Sequence, residues 1–244
     1  MISNAEIKRV KALQSKKFRD ESGLFVVEGE KMVAEALESG LQVEAVYRRD
    51  EIGEQAMARI SSLNSPSPVL AVVRQAAAPD IDEIRSFVRS CGRDMLAIAL
   101  DEIRDPGNLG TIIRLADWYG IDAVFCSAGT VELYNPKVVQ STMGAIFRKK
   151  VIYCDLNNIF DIFASNGLPI YGTFLEGEDI YRSELSSGGL IVMGNEANGI
   201  SPELRNRISA KLFIPPYPGN RKTAESLNVA IATAITVSEF RRRR

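Results

Sequence analysis

Short apolar segments recur along the chain from residue 95 to residue 214, and segments with helical periodicity separate them. The predicted strands are residues 95–100, 123–126, 150–153, 168–173, 190–193 and 212–214. The predicted helices are about 109–119, 136–143, 156–165, 202–207 and 227–240. Apolar strands joined by helices are typical of a parallel sheet that is covered on both faces. The pattern predicts an α/β fold for this part of the chain.

The preceding residues predict a smaller α/β unit. Helices are expected at 5–13, around 32–37 and at 51–63, and strands at 24–27, 43–47 and 69–73. Residues 76–79 break this pattern, and a helix is expected at 80–90. We therefore expect an N-terminal domain over 1–78, a linker helix over 79–93 and a second domain over 94–244.

The composition excludes several kinds of site. The chain has no histidine, which excludes Ser-His and Cys-His nucleophile pairs and the common His-based metal sites. Its 3 cysteines are far apart, so we expect no disulfide framework and no metal site. It also lacks both the roughly 18-residue apolar run of a membrane span and a signal-peptide segment. We expect a cytoplasmic protein that has no membrane partner.

Basic residues are concentrated near both ends, although the net charge is only -1. One cluster lies in residues 1–20 and includes Lys16, Lys17 and Arg19, and the other is Arg241 to Arg244. Such clusters can neutralise nucleic-acid phosphates, but they also occur as solvated surfaces and tails. Both interpretations are open at this stage.

Three loops that follow predicted strands contain unusual numbers of glycine, asparagine and serine residues. They are residues 101–114, 194–201 and 215–228. The last leads into an apolar helix of small residues, in which Ser226 is expected as the cap and Asn228 in the first turn. Ligands of open α/β sheets bind outside the carboxyl ends of strands, so we expect the three loops to form one pocket. None of them contains a dinucleotide fingerprint, a P-loop or a Gly-x-Ser-x-Gly elbow.

The same loops resemble the three signatures of the SpoU (TrmH-like) family of RNA ribose 2′-O-methyltransferases. Asn108-Leu-Gly110-Thr-Ile-Ile-Arg114 resembles the first signature, Asn-x-Gly-x-x-x-Arg. Residues 191–200 are similar to the second, and Ile214-Pro followed by residues 225–230 is similar to the third. The segment 24–29, Leu-Phe-Val-Val-Glu-Gly, resembles the family's ribosomal-protein-like RNA-binding domain.

The resemblance implies methyl transfer from S-adenosylmethionine to a ribose 2′-hydroxyl in structured RNA, either tRNA or rRNA. It also implies a deep trefoil knot in the C-terminal domain and a homodimer. The implied catalytic and RNA-facing residues are Asn108, Arg114, Glu196, Ser226 and Asn228. The implied cofactor-binding residues are Gly194, Ile214, Leu227 and Thr173. Expected RNA-binding residues are Lys16, Lys17, Arg19 and, in a third loop longer than is usual in the family, Arg221 and Lys222.

The chemistry restricts the role of Arg114. A guanidinium has a pKa above about 12, so it is a poor general base and a good bidentate clamp for phosphate. We therefore expect Arg114 to fix the target nucleotide, while the hydroxyl proton leaves through RNA phosphate, water or Glu196. Two alternatives remain: a non-catalytic RNA-binding protein that retains the fold, and a methyltransferase that acts on a different acceptor.

Overall fold

The computed structural model describes residues 2–218 and 224–242. They fall into two compact units, and the first combines Met1–Ala77 with the later segment Glu132–Arg148. The second unit comprises Ala78–Val131 and Lys149–Arg244.

The first unit is built on a three-stranded antiparallel sheet in the order β1-β3-β2. Its strands are β1 (Leu24–Glu28), β2 (Val43–Arg48) and β3 (Val69–Arg74). Its helices up to Ala77 are α1 (Asn4–Ala12), α2 (Lys16–Ser22), α3 (Glu30–Glu38), α4 (Arg49–Ile52) and α5 (Glu54–Ile60). Helices α1 and α5 cover the sheet, and Ile7, Val10 and Met57 join its apolar core.

Two details of this unit differ from the sequence-based expectation. The single helix expected at 51–63 is two helices, because Gly53 lies between them with a φ of 88° that interrupts helical geometry. Helix α2 was not expected, because its sequence KKFRDES has no apolar periodicity.

The second unit contains a seven-stranded sheet in the order β6-β5-β4-β9-β7-β10-β8, and all its neighbouring strands are parallel. The strands are β4 (Leu96–Leu100), β5 (Ala123–Cys126), β6 (Lys150–Tyr153), β7 (Ile170–Phe174), β8 (Glu178–Asp179), β9 (Gly189–Met193) and β10 (Ala210–Phe213). The helices are α6 (Ile81–Cys91), α7 (Pro106–Trp118), α9 (Leu156–Ser165), α10 (Pro202–Arg205) and α11 (Val229–Arg242), while α8 (Pro136–Thr142) belongs to the first unit. The parallel α/β prediction is confirmed, and the short strand β8 was not expected.

Polar and aromatic contacts fix the segment Glu132–Arg148 within the first unit. Arg19 is 2% exposed and forms a bidentate ion pair with Glu132, in which Nη2 lies 2.6 Å from Oε2 and Nε lies 2.8 Å from Oε1. The ring of Tyr134 packs 4.6 Å from that of Phe25, and its hydroxyl accepts the Ala76 N–H over 3.0 Å. The expectation that Arg19 contacts RNA is therefore wrong, because its guanidinium is enclosed and already paired.

Within residues 2–218 and 224–242, no helix is long and apolar enough to cross a membrane.

Candidate active site

The first loop places Asn108 in the opening turn of α7. The Asp105 side chain accepts the backbone N–H of Asn108 over 2.8 Å, so Asp105 is the helix cap. Pro106 follows at the first helical position, where a missing N–H costs no hydrogen bond. The helix was expected to begin near residue 109, and it begins three residues earlier, at Pro106. An Asp directly before Pro was the sequence signal for the earlier start.

The third loop ends at Asn228, which caps α11. Oδ1 of Asn228 accepts the N–H groups of Ala230 over 2.9 Å and of Ile231 over 3.3 Å. Ser226 was expected as this cap, and that prediction is wrong because the helix begins at Val229. Ser226 is exposed, and its hydroxyl forms no hydrogen bond with the described part of the chain.

A chain of side-chain hydrogen bonds joins the three loops. Nδ2 of Asn108 donates to Oε1 of Glu196 over 2.7 Å. Nδ2 of Asn228 donates to Oδ1 of Asn108 over 2.9 Å. Asn108 uses both ends of its amide in these contacts, so it fixes the side chains of Glu196 and Asn228 relative to each other. The structure thus brings together three of the five expected catalytic residues, one from each loop.

Arg114 lies farther along α7 and outside this hydrogen-bond chain. It follows Asn108 by six positions, which corresponds to a rise of roughly 9 Å along a helix. Its side chain is exposed, and within residues 2–218 and 224–242 it forms no ion pair or hydrogen bond. The guanidinium is therefore available to an external anion.

Gly194, at the start of the second loop, lies close to the backbone at the end of the same loop. A Cβ on Gly194 would lie 2.2 Å from the carbonyl carbon of Gly199 and 2.3 Å from the nitrogen of Ile200. The resemblance implies that Gly194 binds the cofactor. The structure gives a reason for glycine within the loop itself, which leaves no room for a side chain.

Asn195 organises the same loop and was not among the expected site residues. Its Oδ1 accepts the N–H groups of Ala197 over 2.9 Å and of Asn198 over 3.1 Å. Its Nδ2 donates to the carbonyl oxygen of Glu102 over 2.8 Å. The sequence showed an Asn within the second signature, but not that its amide would bridge two loops.

The expected cofactor residues lie at strand ends and at the start of α11. Ile214 directly follows β10 and is half-buried, and Leu227 precedes the Asn228 cap and is 49% exposed. Thr173 lies in β7 and is half-buried. Its hydroxyl donates a hydrogen bond to the Val192 carbonyl oxygen over 3.2 Å. Leu227 and Ile214 therefore offer apolar surface, whereas the Thr173 hydroxyl is already engaged in the sheet.

The expected RNA-binding residues have different surroundings. Lys16 and Lys17 are exposed, but their ammonium groups lie 2.5 Å from Asp20 and 3.9 Å from Glu21, respectively. Arg221 and Lys222 lie outside the described residues.

Two arginines of the C-terminal cluster are engaged within the second unit. Nε of Arg241 donates to the Tyr119 carbonyl oxygen over 2.8 Å, and Arg242 pairs with the buried Glu239 at 2.8 and 2.7 Å. These contacts stabilise the end of α11, as basic residues at a helix C-terminus commonly do.

The thiols of this unit are not activated nucleophiles. Burial raises the pKa of the Cys126 thiol far above its ordinary value. Burial, together with the charge of Asp155, raises the pKa of Cys154 to about 12. Since the thiolate is the reactive form, neither cysteine is suited to covalent catalysis near neutral pH.

Two family models match this chain. The SpoU rRNA Methylase family model matches residues 95–238, and the model of the MRM3-like substrate binding domain matches residues 4–77. The 23S rRNA (guanosine(2553)-2′-O)-methyltransferase RlmP of Bacillus subtilis is 31% identical over an alignment of 254 positions. The alignment covers 98% of this chain and 96% of RlmP.

Two solved structures are similar over nearly their whole length. A TrmH-family structure from Porphyromonas gingivalis has a TM-score of 0.87 and 34% identity, with 100% of each chain covered. The AdoMet-bound rRNA methyltransferase from Sinorhizobium meliloti has a TM-score of 0.86 and 30% identity, with 100% of this chain and 96% of that chain covered. On the fold, the three signatures and these matches, the chain belongs to the SpoU rRNA methylase family.

Proposed function

We propose that this protein transfers a methyl group from S-adenosylmethionine to the 2′-hydroxyl of a ribose in 23S rRNA. The observation that carries the proposal is the hydrogen-bonded convergence of Asn108, Glu196 and Asn228 in a SpoU-family chain. The similarity to RlmP, which is named as a 23S rRNA methyltransferase and is covered over 96% of its length, supports the choice of substrate.

The residues around the hydrogen-bond chain fit S-adenosylmethionine. Leu227 and Ile214 present apolar surface suited to an adenine ring, and the Glu196 carboxylate suits a positively charged sulfonium. When bound, S-adenosylmethionine supplies an activated methyl group on a good leaving group. We assign Ile214 and Leu227, with Gly194 and Thr173, to hold it. The AdoMet-bound state of the Sinorhizobium meliloti structure supports this cofactor.

Positioning supplies much of the rate, because the methyl donor is already activated. Asn108 and Asn228 hold Glu196 in one orientation, and Ser226, beside the α11 cap, has a hydroxyl that forms no hydrogen bond with the described residues. Oε1 of Glu196 accepts a hydrogen bond from Nδ2 of Asn108, while Oε2 accepts no hydrogen bond from the described residues. Oε2 can therefore take the ribose hydroxyl proton, directly or through water.

Arg114 binds the RNA backbone beside the target ribose. Its guanidinium is exposed and unengaged in the described part of the chain, so it can clamp a phosphate in a bidentate manner. It serves as a clamp rather than as the base, because a guanidinium offers five N–H donors and no hydrogen-bond acceptor.

The N-terminal domain, residues 1–78, joined through 79–93 to the methyltransferase domain at 94–244, recognises the RNA. The match of the MRM3-like substrate binding domain to residues 4–77 supports this role. Lys16 and Lys17 of this domain and Arg221 and Lys222 of the third loop contribute positive charge.

The active form is a cytoplasmic homodimer whose C-terminal domain is knotted. Exposed apolar side chains on α7 and α11, two helices that pack together, support a dimer contact there. Trp118 is 84% exposed and Ile231 is 52% exposed. Sedimentation of the purified protein tests the dimer.

The test of function is methyl transfer from tritiated S-adenosylmethionine to total RNA of a strain that lacks the gene. After RNA fractionation, we expect the label in 23S rRNA. Label confined to tRNA would overturn the assignment to rRNA. RNA binding without cofactor binding in calorimetry would instead identify a non-catalytic RNA-binding protein.

A further inference from the structure

Asp101 and Glu102 are adjacent in the loop after β4. They accept hydrogen bonds from the two ends of the loop after β9. Nδ2 of Asn195, at the start of the second loop, lies 2.8 Å from the Glu102 carbonyl oxygen. The N–H of Ser201, at its end, donates to Oδ2 of Asp101 over 2.7 Å. Glu196, whose carboxylate belongs to the candidate active site, lies between Asn195 and Ser201 in the sequence.

Both the oxygen and the nitrogen of the Asn195 side-chain amide form hydrogen bonds. Oδ1 meets two N–H donors, those of Ala197 and Asn198, and Nδ2 meets one carbonyl oxygen. The backbone of Asn195 also exchanges hydrogen bonds with Gly199 at 3.0 and 2.8 Å. Oδ1 therefore shapes its own loop, while Nδ2 connects that loop to Glu102.

The Glu102 carbonyl is held in place by an unusual backbone conformation. Glu102 has a φ of 56°, in the left-handed region that residues with a Cβ seldom adopt. Its N–H donates to the Ser127 hydroxyl over 2.8 Å, and a Cβ on Gly129 would lie 2.8 Å from Cγ of Glu102. These contacts confine Glu102 and direct its carbonyl towards Asn195.

We propose that Asn195 is a positioning residue for the methyl transfer, acting through the Asn108–Glu196 hydrogen bond. Glu196 directly follows Asn195, and Asn108 lies in the helix that follows the Glu102 loop. The Asn195–Glu102 link and the 2.7 Å Asn108–Glu196 bond thus close a ring between the two loops. Without the link, Glu196 is free to move away from Asn108, and its carboxylate loses its orientation. The inference rests on the function proposed above.

Asn195→Asp separates the two uses of the amide. It retains an acceptor for Ala197 and Asn198 but removes the donor to Glu102. We expect kcat to fall roughly tenfold, because the Asn108 hydrogen bond to the charged Glu196 carboxylate would no longer be held in place, with KM for RNA unchanged. Asn158→Asp adds the same charge at an exposed position of α9, outside the three loops, and should behave like the wild type.

A double-mutant cycle distinguishes positioning from a merely structural role. If Asn195 acts through Asn108, Asn195→Asp should cause no further loss of kcat in an Asn108→Ala background. Additive losses would overturn the inference, as would an Asn195→Asp enzyme with wild-type kcat.

Hydrogen–deuterium exchange gives a readout that needs no activity. Residues 195–201 should exchange faster in Asn195→Asp, while the melting temperature stays near that of the wild type. Unchanged exchange would overturn the link. A wild-type protein that transfers no methyl group would count against the proposed function, and the exchange result would still decide whether Asn195 holds the loop.

Discussion

Asn108 and Glu196 are 88 positions apart in the sequence, yet Nδ2 of Asn108 lies 2.7 Å from Oε1 of Glu196. Asn228 completes this contact from a third loop, because its Nδ2 lies 2.9 Å from Oδ1 of Asn108. A neutral amide at position 108 suits both neighbours, since it donates to a carboxylate and accepts from an amide.

Replacing Asn108 by Asp should harm the reaction by removing the donor to Glu196. Two carboxylates would then face each other, whereas the acceptor for Asn228 would remain. A hydrogen bond to a charged group is worth about 1.5–3 kcal/mol, so we expect methyl transfer to fall about tenfold to a hundredfold. Single-turnover kinetics measure this, with the exposed Asn158→Asp on α9 as the control. Equal rates in the two variants would contradict the role of Asn108.

Replacing Arg114 by Lys tests the phosphate clamp. Lysine keeps the charge but cannot form two parallel hydrogen bonds, so the methyl-transfer rate should fall by about tenfold or more. The matched control is Arg85→Lys, on the exposed face of α6. Near-normal turnover of the Arg114→Lys enzyme would argue against bidentate binding.

Replacing both Arg221 and Lys222 by Ser tests the extended third loop. Each lost phosphate contact should lower the slope of log affinity against log salt by about 1, while affinity for S-adenosylmethionine stays constant. Filter binding to rRNA at several salt concentrations measures the slope. Arg85→Ser with Arg89→Ser removes the same charge from an exposed face of α6. An unchanged slope in the loop variant would remove these residues from the RNA-binding surface.

Replacing Glu132 by Ala should destabilise the first unit. The 2% exposed guanidinium of Arg19 would keep its bond to the Leu13 carbonyl oxygen but lose its counter-charge. Removing one partner of a buried pair costs about 3–5 kcal/mol. Urea unfolding followed by circular dichroism measures the change. Glu21→Ala breaks only the exposed pair with Lys17 and should cost less than about 1 kcal/mol.

The buried Cys126 thiol should make stability fall at alkaline pH. Its pKa is raised by burial, so its contribution is fully present below the unfolded-chain pKa of about 8.5 and is lost as pH rises above it. Between about pH 8.5 and 10.5, the wild type should lose about 2 kcal/mol more unfolding free energy than Cys126→Ala. Chemical denaturation at both pH values measures this, and parallel losses would contradict it.

The strands and most helices could be predicted because each depends on local periodicity. The strand at 123–126 was predicted to the residue, since four consecutive apolar side chains are buried there. Helix α2 was missed because it is almost entirely charged, and the break at Gly53 was missed because the apolar spacing continues across it.

Long-range pairing was beyond such patterns. The sequence around Arg19 is typical of an exposed basic cluster. The fold shows that Arg19 instead donates hydrogen bonds from its guanidinium to Glu132, which lies 113 positions away. The convergence of the three loops was expected from their places after strands. The Asn108–Glu196 bond and the Asn195–Glu102 link were not, because a sequence does not show which polar groups share a partner.

The position of the transferred methyl group tests the central claim most directly. Purified enzyme should label 23S rRNA with tritiated methyl, and alkaline hydrolysis should leave the label in dinucleotides, because a 2′-O-methyl group blocks attack on the adjacent phosphate. Tritium released in base-methylated mononucleotides would contradict the account. So would wild-type transfer by an enzyme carrying both Asn108→Ala and Asn228→Ala.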